Sequence, residues 1–104
     1  KAIALLGRDD VAFIDLRETN ERLKHGSIPG ALHAPYGDLQ ENIGAGGILR
    51  ELARSSDKRI VFYCAFGERS AMAVQAAQDA GLIAALNVEG GIDAWKRAQG
   101  PIAH

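Results

Sequence analysis

The sequence holds a single cysteine, Cys64, among its 104 residues. No internal disulfide can form, which excludes a disulfide-stapled scaffold and points to a reducing, cytoplasmic setting. An excess of one charge is also lacking. Lys and Arg number 12 against 13 Asp and Glu, for a net charge of -1. Such a balance provides no overall field to recruit nucleic acid or an anionic membrane, so neither is expected as a partner. No apolar run approaches the roughly 18–20 residues of a membrane span. The histidines His25, His33 and His104 show no ligand spacing, and no metal site is expected. Gly44-Ala45-Gly46-Gly47 lacks the Gly-Lys-Ser/Thr ending of a phosphate loop and reads as a flexible connection.

What is present is an ordinary globular composition, 47% hydrophobic and 24% charged, long enough for a core of its own. Repeats, low-complexity stretches and linker tracts are missing, so residues 1–104 read as one domain. The chain opens at Lys1 rather than Met, which leaves targeting signals unreadable and allows for excision from a longer chain.

Short apolar runs alternate with helical patterns. Val11 to Asp15 is a compact run bounded by charges and reads as a buried strand. Arg59 to Cys64 is the clearest strand: β-branched and aromatic residues without polar alternation, as in a strand covered on both faces. Ala84 to Val88 is a weaker strand and Ala31 to His33 a short fourth. Helical spacing covers Tyr36 to Ile43, Ile48 to Arg54, the alanine-rich Ser70 to Ala80 ahead of a capping Gly81, and Ile92 to Gln99 after a Gly90-Gly91 turn. Strands alternating with helices predict a small α/β domain, a mostly parallel sheet with helices on both faces. Trp95, at helical spacing from Ile92, is a core residue on this reading.

Ligands of open α/β sheets bind beyond the carboxyl ends of strands. Cys64 closes the best strand, and Ala65-Phe66-Gly67-Glu68-Arg69 leads to the alanine-rich helix. Curled tightly, that segment turns backbone N–H groups inward at a helix N-terminus and forms an anion nest. Gly67 supplies the conformational freedom for the curl. The same field stabilises a thiolate, Arg69 adds a permanent cation, and Ser70 can cap the helix or donate to the sulfur. Cys64 is therefore the candidate nucleophile, with residues 65 to 70 as its binding loop.

The run Cys64-Ala65-Phe66-Gly67-Glu68-Arg69-Ser70 resembles the active-site loop of the rhodanese-like sulfurtransferases, a cysteine and an arginine with four residues between. Two flanking segments match as well. Ile14-Asp15-Leu16-Arg17-Glu18, with Glu21 and then Gly26-Ser27-Ile28-Pro29-Gly30-Ala31, resembles the family's amino-terminal signature. Gly90-Gly91-Ile92-Asp93-Ala94-Trp95 is similar to its carboxy-terminal one. The resemblance spans residues 11 to 98 and implies a reaction. Cys64 takes a sulfane sulfur from thiosulfate or a persulfide donor and hands it to cyanide, a thiol or a protein acceptor, with no metal or organic cofactor. Phosphatases and arsenate reductases of the same fold carry one residue more between cysteine and arginine; the shorter loop suits attack on sulfur. A binding or redox-sensing module that keeps the cysteine is the alternative from another class, and intact Cys64, Gly67 and Arg69 weigh against it.

Ser27 stands where the family signature has histidine, with His25 two places earlier. Glu68 is an acid inside the loop: turned inward it offsets Arg69 and weakens binding of dianionic thiosulfate, turned outward it only meets water. Phe66 at the rim either meets an acceptor or shields the sulfur. Asp15 and Arg17 look like an acid/base pair but are expected to be structural, with Arg17 paired to a carboxylate such as Glu21 or Glu18 and bordering the pocket at most.

Overall fold

The computed structural model describes residues 11–44, 46–56, 59–81 and 85–103. Two central strands, β1 (Val11–Asp15) and β3 (Arg59–Tyr63), pair in parallel from Val11 opposite Arg59 to Asp15 opposite Tyr63. β2 (Leu32–His33) extends the sheet beside β1, and β4 (Ala85–Asn87) extends it beside β3. The order is β2-β1-β3-β4 with every pairing parallel. Both central strands are apolar on both faces, which requires helices on both sides. Ile14, Ile60 and Phe62 pack on one face against Leu39, Ile43, Leu49, Ala73 and Ala77. Val11, Phe13, Val61 and Tyr63 pack on the other against Ile28, Val88, Ile92 and Trp95. The α/β class and the helix-covered parallel sheet are as the sequence predicts.

Five α-helices are described: α1 (Thr19–His25), α2 (Leu39–Ile43), α3 (Ile48–Ser56), α4 (Glu68–Asp79) and α5 (Gly91–Arg97). Ala73 and Ala77 lie fully buried, so α4 approaches the sheet closely through its small residues. Gly81 ends α4 as expected, at φ 98° with its N–H on the Gln78 carbonyl. Trp95 is core: it meets Phe13 edge to face at 5.6 Å, and its indole N–H donates to the Pro101 carbonyl at 2.8 Å. Arg50 fastens α3 to its neighbours by donating to the Ile43 and Ala80 carbonyls at 2.8 and 2.7 Å.

Several boundaries differ from the sequence reading. The helical spacing from Tyr36 to Ile43 resolves into a 3-10 turn at Tyr36–Asp38 followed by α2, because Asp38 leaves helical geometry at ψ 9°. β3 stops at Tyr63, one residue before Cys64. Ala84 and His104 lie outside the described residues, as does Ala45 of the glycine-rich connection. α1 has no counterpart in the periodicity analysis. Its one large apolar residue, Leu23, is 81% exposed, and it buries no residue at all. Polar contacts hold it instead. The Glu21 carboxylate accepts from the Glu18 N–H at 2.9 Å, and Gly26, at φ 78°, closes the end by donating to Arg22.

Candidate active site

β1 leads away toward β2 and β3 toward β4, so the chain diverges at the carboxyl ends of the two central strands. Asp15 and Tyr63 stand opposite each other at that point. The Asp15 carboxylate is fully buried and gathers five donors. They are the Arg17 backbone N–H at 3.0 Å, Arg17 Nε at 3.0 Å and Nη2 at 2.9 Å, Arg22 Nε at 3.1 Å, and the Tyr63 hydroxyl at 2.9 Å. Tyr63 in turn accepts from the Ile28 N–H at 3.1 Å, and Arg17 also donates to the Gly26 carbonyl at 2.6 Å. Burial pulls against the Arg17 charge, but the hydrogen bond and charge of Asp15 outweigh it and hold the guanidinium above its ordinary range. Burial, then the neighbouring Asp15 charge, pushes the Tyr63 phenol far up. The structural role expected for Asp15 and Arg17 is correct, but the partner is not. Arg17 binds Asp15 two residues away rather than Glu18 or Glu21, because both side chains turn to the same buried side.

Cys64 follows this hub, fully buried on the α4 side of the sheet. Gly67 takes φ 110°, a left-handed conformation that reverses the chain and starts α4 at Glu68, two residues earlier than the alanine pattern implies. The segment between strand and helix is thereby only Cys64 to Gly67. Glu68, Arg69 and Ser70 form the first helical turn, where backbone N–H groups have no carbonyl partner within the helix. The Gly67 N–H donates to Cys64 Sγ at 3.2 Å. Ser70, expected as a cap or a donor to sulfur, instead donates to the Gly67 carbonyl at 3.1 Å, and its Oγ accepts from the thiol at 3.8 Å. Its proton is taken up by the backbone of the turn it stabilises.

Arg69 leaves the loop sideways. Its two terminal nitrogens bind the two Glu21 oxygens at 3.0 and 3.1 Å, across 48 residues of sequence. That hydrogen bond, working against burial, holds Arg69 above its ordinary range, and Cys64 contributes a smaller share. The same bond, again against burial, draws the Glu21 carboxyl down to about 2, and the Glu18 N–H helps. Glu68 is exposed at the first position of α4, which settles its orientation toward water. Phe66 is 64% exposed at the rim.

The Gly90-Gly91 turn has a role that the sequence did not disclose. The Ile92 N–H donates to the Cys64 carbonyl at 2.9 Å, and the Asp93 N–H to the Ala65 carbonyl at 3.2 Å. The start of α5 thus holds the backbone of the cysteine segment, and Gly91 at φ 67° permits the close approach. Beside this contact lies a cleft of about 230 Å³, lined among others by Arg17, Glu21, His25, Ala65, Phe66 and Ile92. Arg17 therefore does border a pocket. Cys64 does not line it. Ser27, which replaces the signature histidine, exchanges backbone hydrogen bonds with Ala103 at 2.8 and 2.7 Å, while His33 Nε2 lies 2.7 Å from the Arg17 carbonyl. Among the described residues no cluster of His, Cys, Asp and Glu is arranged to hold a metal. No helix among them is long and apolar enough to cross a membrane.

A parallel α/β sheet with a buried cysteine between a strand end and a glycine-started helix frames the candidate site. A profile of the rhodanese-like domain matches residues 1–98, and the chain belongs to that family. It is 31% identical over 97 residues to the mouse thiosulfate sulfurtransferase/rhodanese-like domain-containing protein 3, covering 88% of this chain and 62% of that protein. It thus spans less than two thirds of that relative's length. It is 31% identical to human thiosulfate:glutathione sulfurtransferase, covering 88% of this chain and 84% of the other. Among solved structures, a Rhodopseudomonas palustris protein of unknown function, called a possible tyrosine phosphatase, superposes with a TM-score of 0.86 at 42% identity, covering 97% of this chain and 78% of the other. A human single-domain sulfurtransferase superposes with a TM-score of 0.73 at 28% identity, covering 90% and 88%. The named relatives support a rhodanese-like sulfurtransferase.

Proposed function

We propose that the protein moves sulfane sulfur through a persulfide on Cys64. The observation that carries the reading is the placement of Sγ: buried at the end of β3, 3.2 Å from the Gly67 N–H and beside the first turn of α4. The Cys64 thiolate attacks the outer sulfur of thiosulfate, the Sγ–S bond forms, and the donor's S–S bond breaks. Sulfite leaves with the electron pair, and the negative charge resides on the outer sulfur of Cys64. A persulfide donor reacts in the same way and releases its thiolate. In the second half-reaction a thiol or cyanide attacks that outer sulfur and Cys64 leaves as thiolate, so neither a metal nor an external reductant is needed. The Gly67 N–H and the open N–H groups of Glu68, Arg69 and Ser70 are the groups available to stabilise the anionic sulfur. Ala65 and Phe66 form the wall of the neighbouring cleft. Because Cys64 is fully buried and does not line the cleft, transfer requires the 65–67 turn to move aside or the thiol to rotate outward.

The similarity to a protein called a possible tyrosine phosphatase makes phosphoryl transfer the second reading. Four residues between Cys64 and Arg69, and an Arg69 turned onto Glu21 rather than over the loop, favour sulfur as the target. Incubation of the reduced protein with thiosulfate and with p-nitrophenyl phosphate separates the two. Sulfur loading without phosphate release supports sulfur transfer; phosphate release dependent on Cys64, without sulfur loading, overturns it.

A further inference from the structure

The acid that offsets the loop arginine is not the one inside the loop. Glu68 faces water, whereas Glu21, from a different part of the chain, engages both ends of Arg69. The Glu21 side chain is 30% exposed, lines the cleft beside Ala65 and Phe66, and is anchored a second time by the Glu18 N–H at 2.9 Å. Arg17, the guanidinium that lines the cleft, is committed to Asp15, and Lys96 of α5 is a further cation on the cleft wall. Both arginines beside the cysteine segment are therefore already neutralised by carboxylates of the fold. An incoming dianion meets no unpaired arginine there, and among the described residues the remaining permanent cation on the cleft wall is Lys96. The dianion has to compete with Glu21 for Arg69, and it is repelled by Glu21 if it fails.

We infer that Glu21 is a specificity-determining residue that biases the site against dianionic donors such as thiosulfate and toward donors of lower charge such as organic persulfides. The inference rests on the sulfur-transfer reading. Glu21 acts through Arg69 as a positioning residue and takes no part in bond making. A monoanionic or neutral persulfide gains its binding from the cleft wall and the helix N–H groups and has little need of a free guanidinium. Neutralising Glu21 therefore has unequal consequences for the two donor classes: it releases Arg69 for thiosulfate and leaves a persulfide almost unaffected.

The test is the donor ratio in Glu21→Gln, with Glu21→Asp as the charge-keeping control. The rate of Cys64 persulfide formation is followed by intact mass against thiosulfate and against 2-hydroxyethyl persulfide. Glu21→Gln lowers the thiosulfate KM by about fivefold, the scale of one partly exposed charge interaction. It moves the 2-hydroxyethyl persulfide KM by less than about twofold, and Glu21→Asp keeps the original ratio. A thiosulfate KM that is unchanged or rises, or equal changes for both donors, overturns the inference. Thiosulfate affinity measured by titration calorimetry in Cys64→Ser and in Cys64→Ser combined with Glu21→Gln needs no turnover. Tighter binding in the double variant supports the inference, and equal binding overturns it even if neither donor loads sulfur. Failure of both donors to load sulfur onto protein with Cys64 intact is a separate result, which removes the reaction rather than the charge effect.

Discussion

Gly91 packs so closely on the cysteine segment that a methyl group placed on it would lie 2.5 Å from the Ala65 carbonyl carbon. The contact explains why two glycines stand 26 and 27 residues beyond Cys64. They allow the Ile92 and Asp93 N–H groups to reach the Cys64 and Ala65 carbonyls. Gly91→Ala therefore strains a backbone at φ 67° and pushes those carbonyls away at once. The variant loses about 2 kcal/mol or more of stability and loads sulfur more slowly. Gly30→Ala, at φ 79° with open space around it, is the control. Thermal unfolding and loading rates compare the two. Equal losses would contradict a role for the close approach.

The Asp15 hub supports a graded prediction. Asp15→Ala leaves the buried Arg17 guanidinium without its carboxylate and destabilises by about 3–5 kcal/mol. Tyr63→Phe removes one donor to Asp15 and leaves the Ile28 N–H unpaired, at about 1–3 kcal/mol. Urea denaturation of the two variants checks the order. A larger loss in Tyr63→Phe than in Asp15→Ala would be inconsistent with Asp15 as the centre of the network.

Glu21 connects stability to acidity. Its carboxyl is at about 2 in the folded protein against an ordinary 4.5, so the folded state keeps it ionised where the unfolded chain takes up a proton. Its contribution is fully present above about 4.5 and is lost as pH falls through 2. The stability gap between the parent protein and Glu21→Gln narrows on acidification from pH ~5 to pH ~2. Denaturant midpoints at several pH values measure it. A gap that stays constant over that range would place Glu21 outside the linkage.

Much of this site is written locally in the chain. The β-branched run before Cys64 encodes a strand covered on both faces, Gly67 encodes the reversal, and the spacing to Arg69 is read by counting. The alanine pattern misplaced the helix start because it follows packing, whereas the start is set by the conformation of Gly67 and by unpartnered N–H groups. α1 was invisible for a related reason. With no apolar face it has no hydrophobic period, and its stability lies in caps and in Asp15 and Arg69, the acceptor and donor it meets through Arg22 and Glu21. Glu68 is the acid beside Arg69 in sequence, but at the first position of α4 its side chain is exposed to water. The carboxylate that reaches Arg69 comes from 48 residues away, and only the folded sheet brings the two together. The glycines at 90 and 91 were legible as a turn, but their contact with the Cys64 and Ala65 carbonyls was not.

The central claim is that Cys64 carries sulfur, and one measurement bears on it most directly. Reduced, folded protein is incubated with thiosulfate and, separately, with 2-hydroxyethyl persulfide, and its intact mass is taken before and after cyanide is added. One added sulfur atom is expected with at least one donor, removed by cyanide and absent in Cys64→Ala. An unchanged mass with both donors, or a gain of sulfur that persists in Cys64→Ala, would contradict the account.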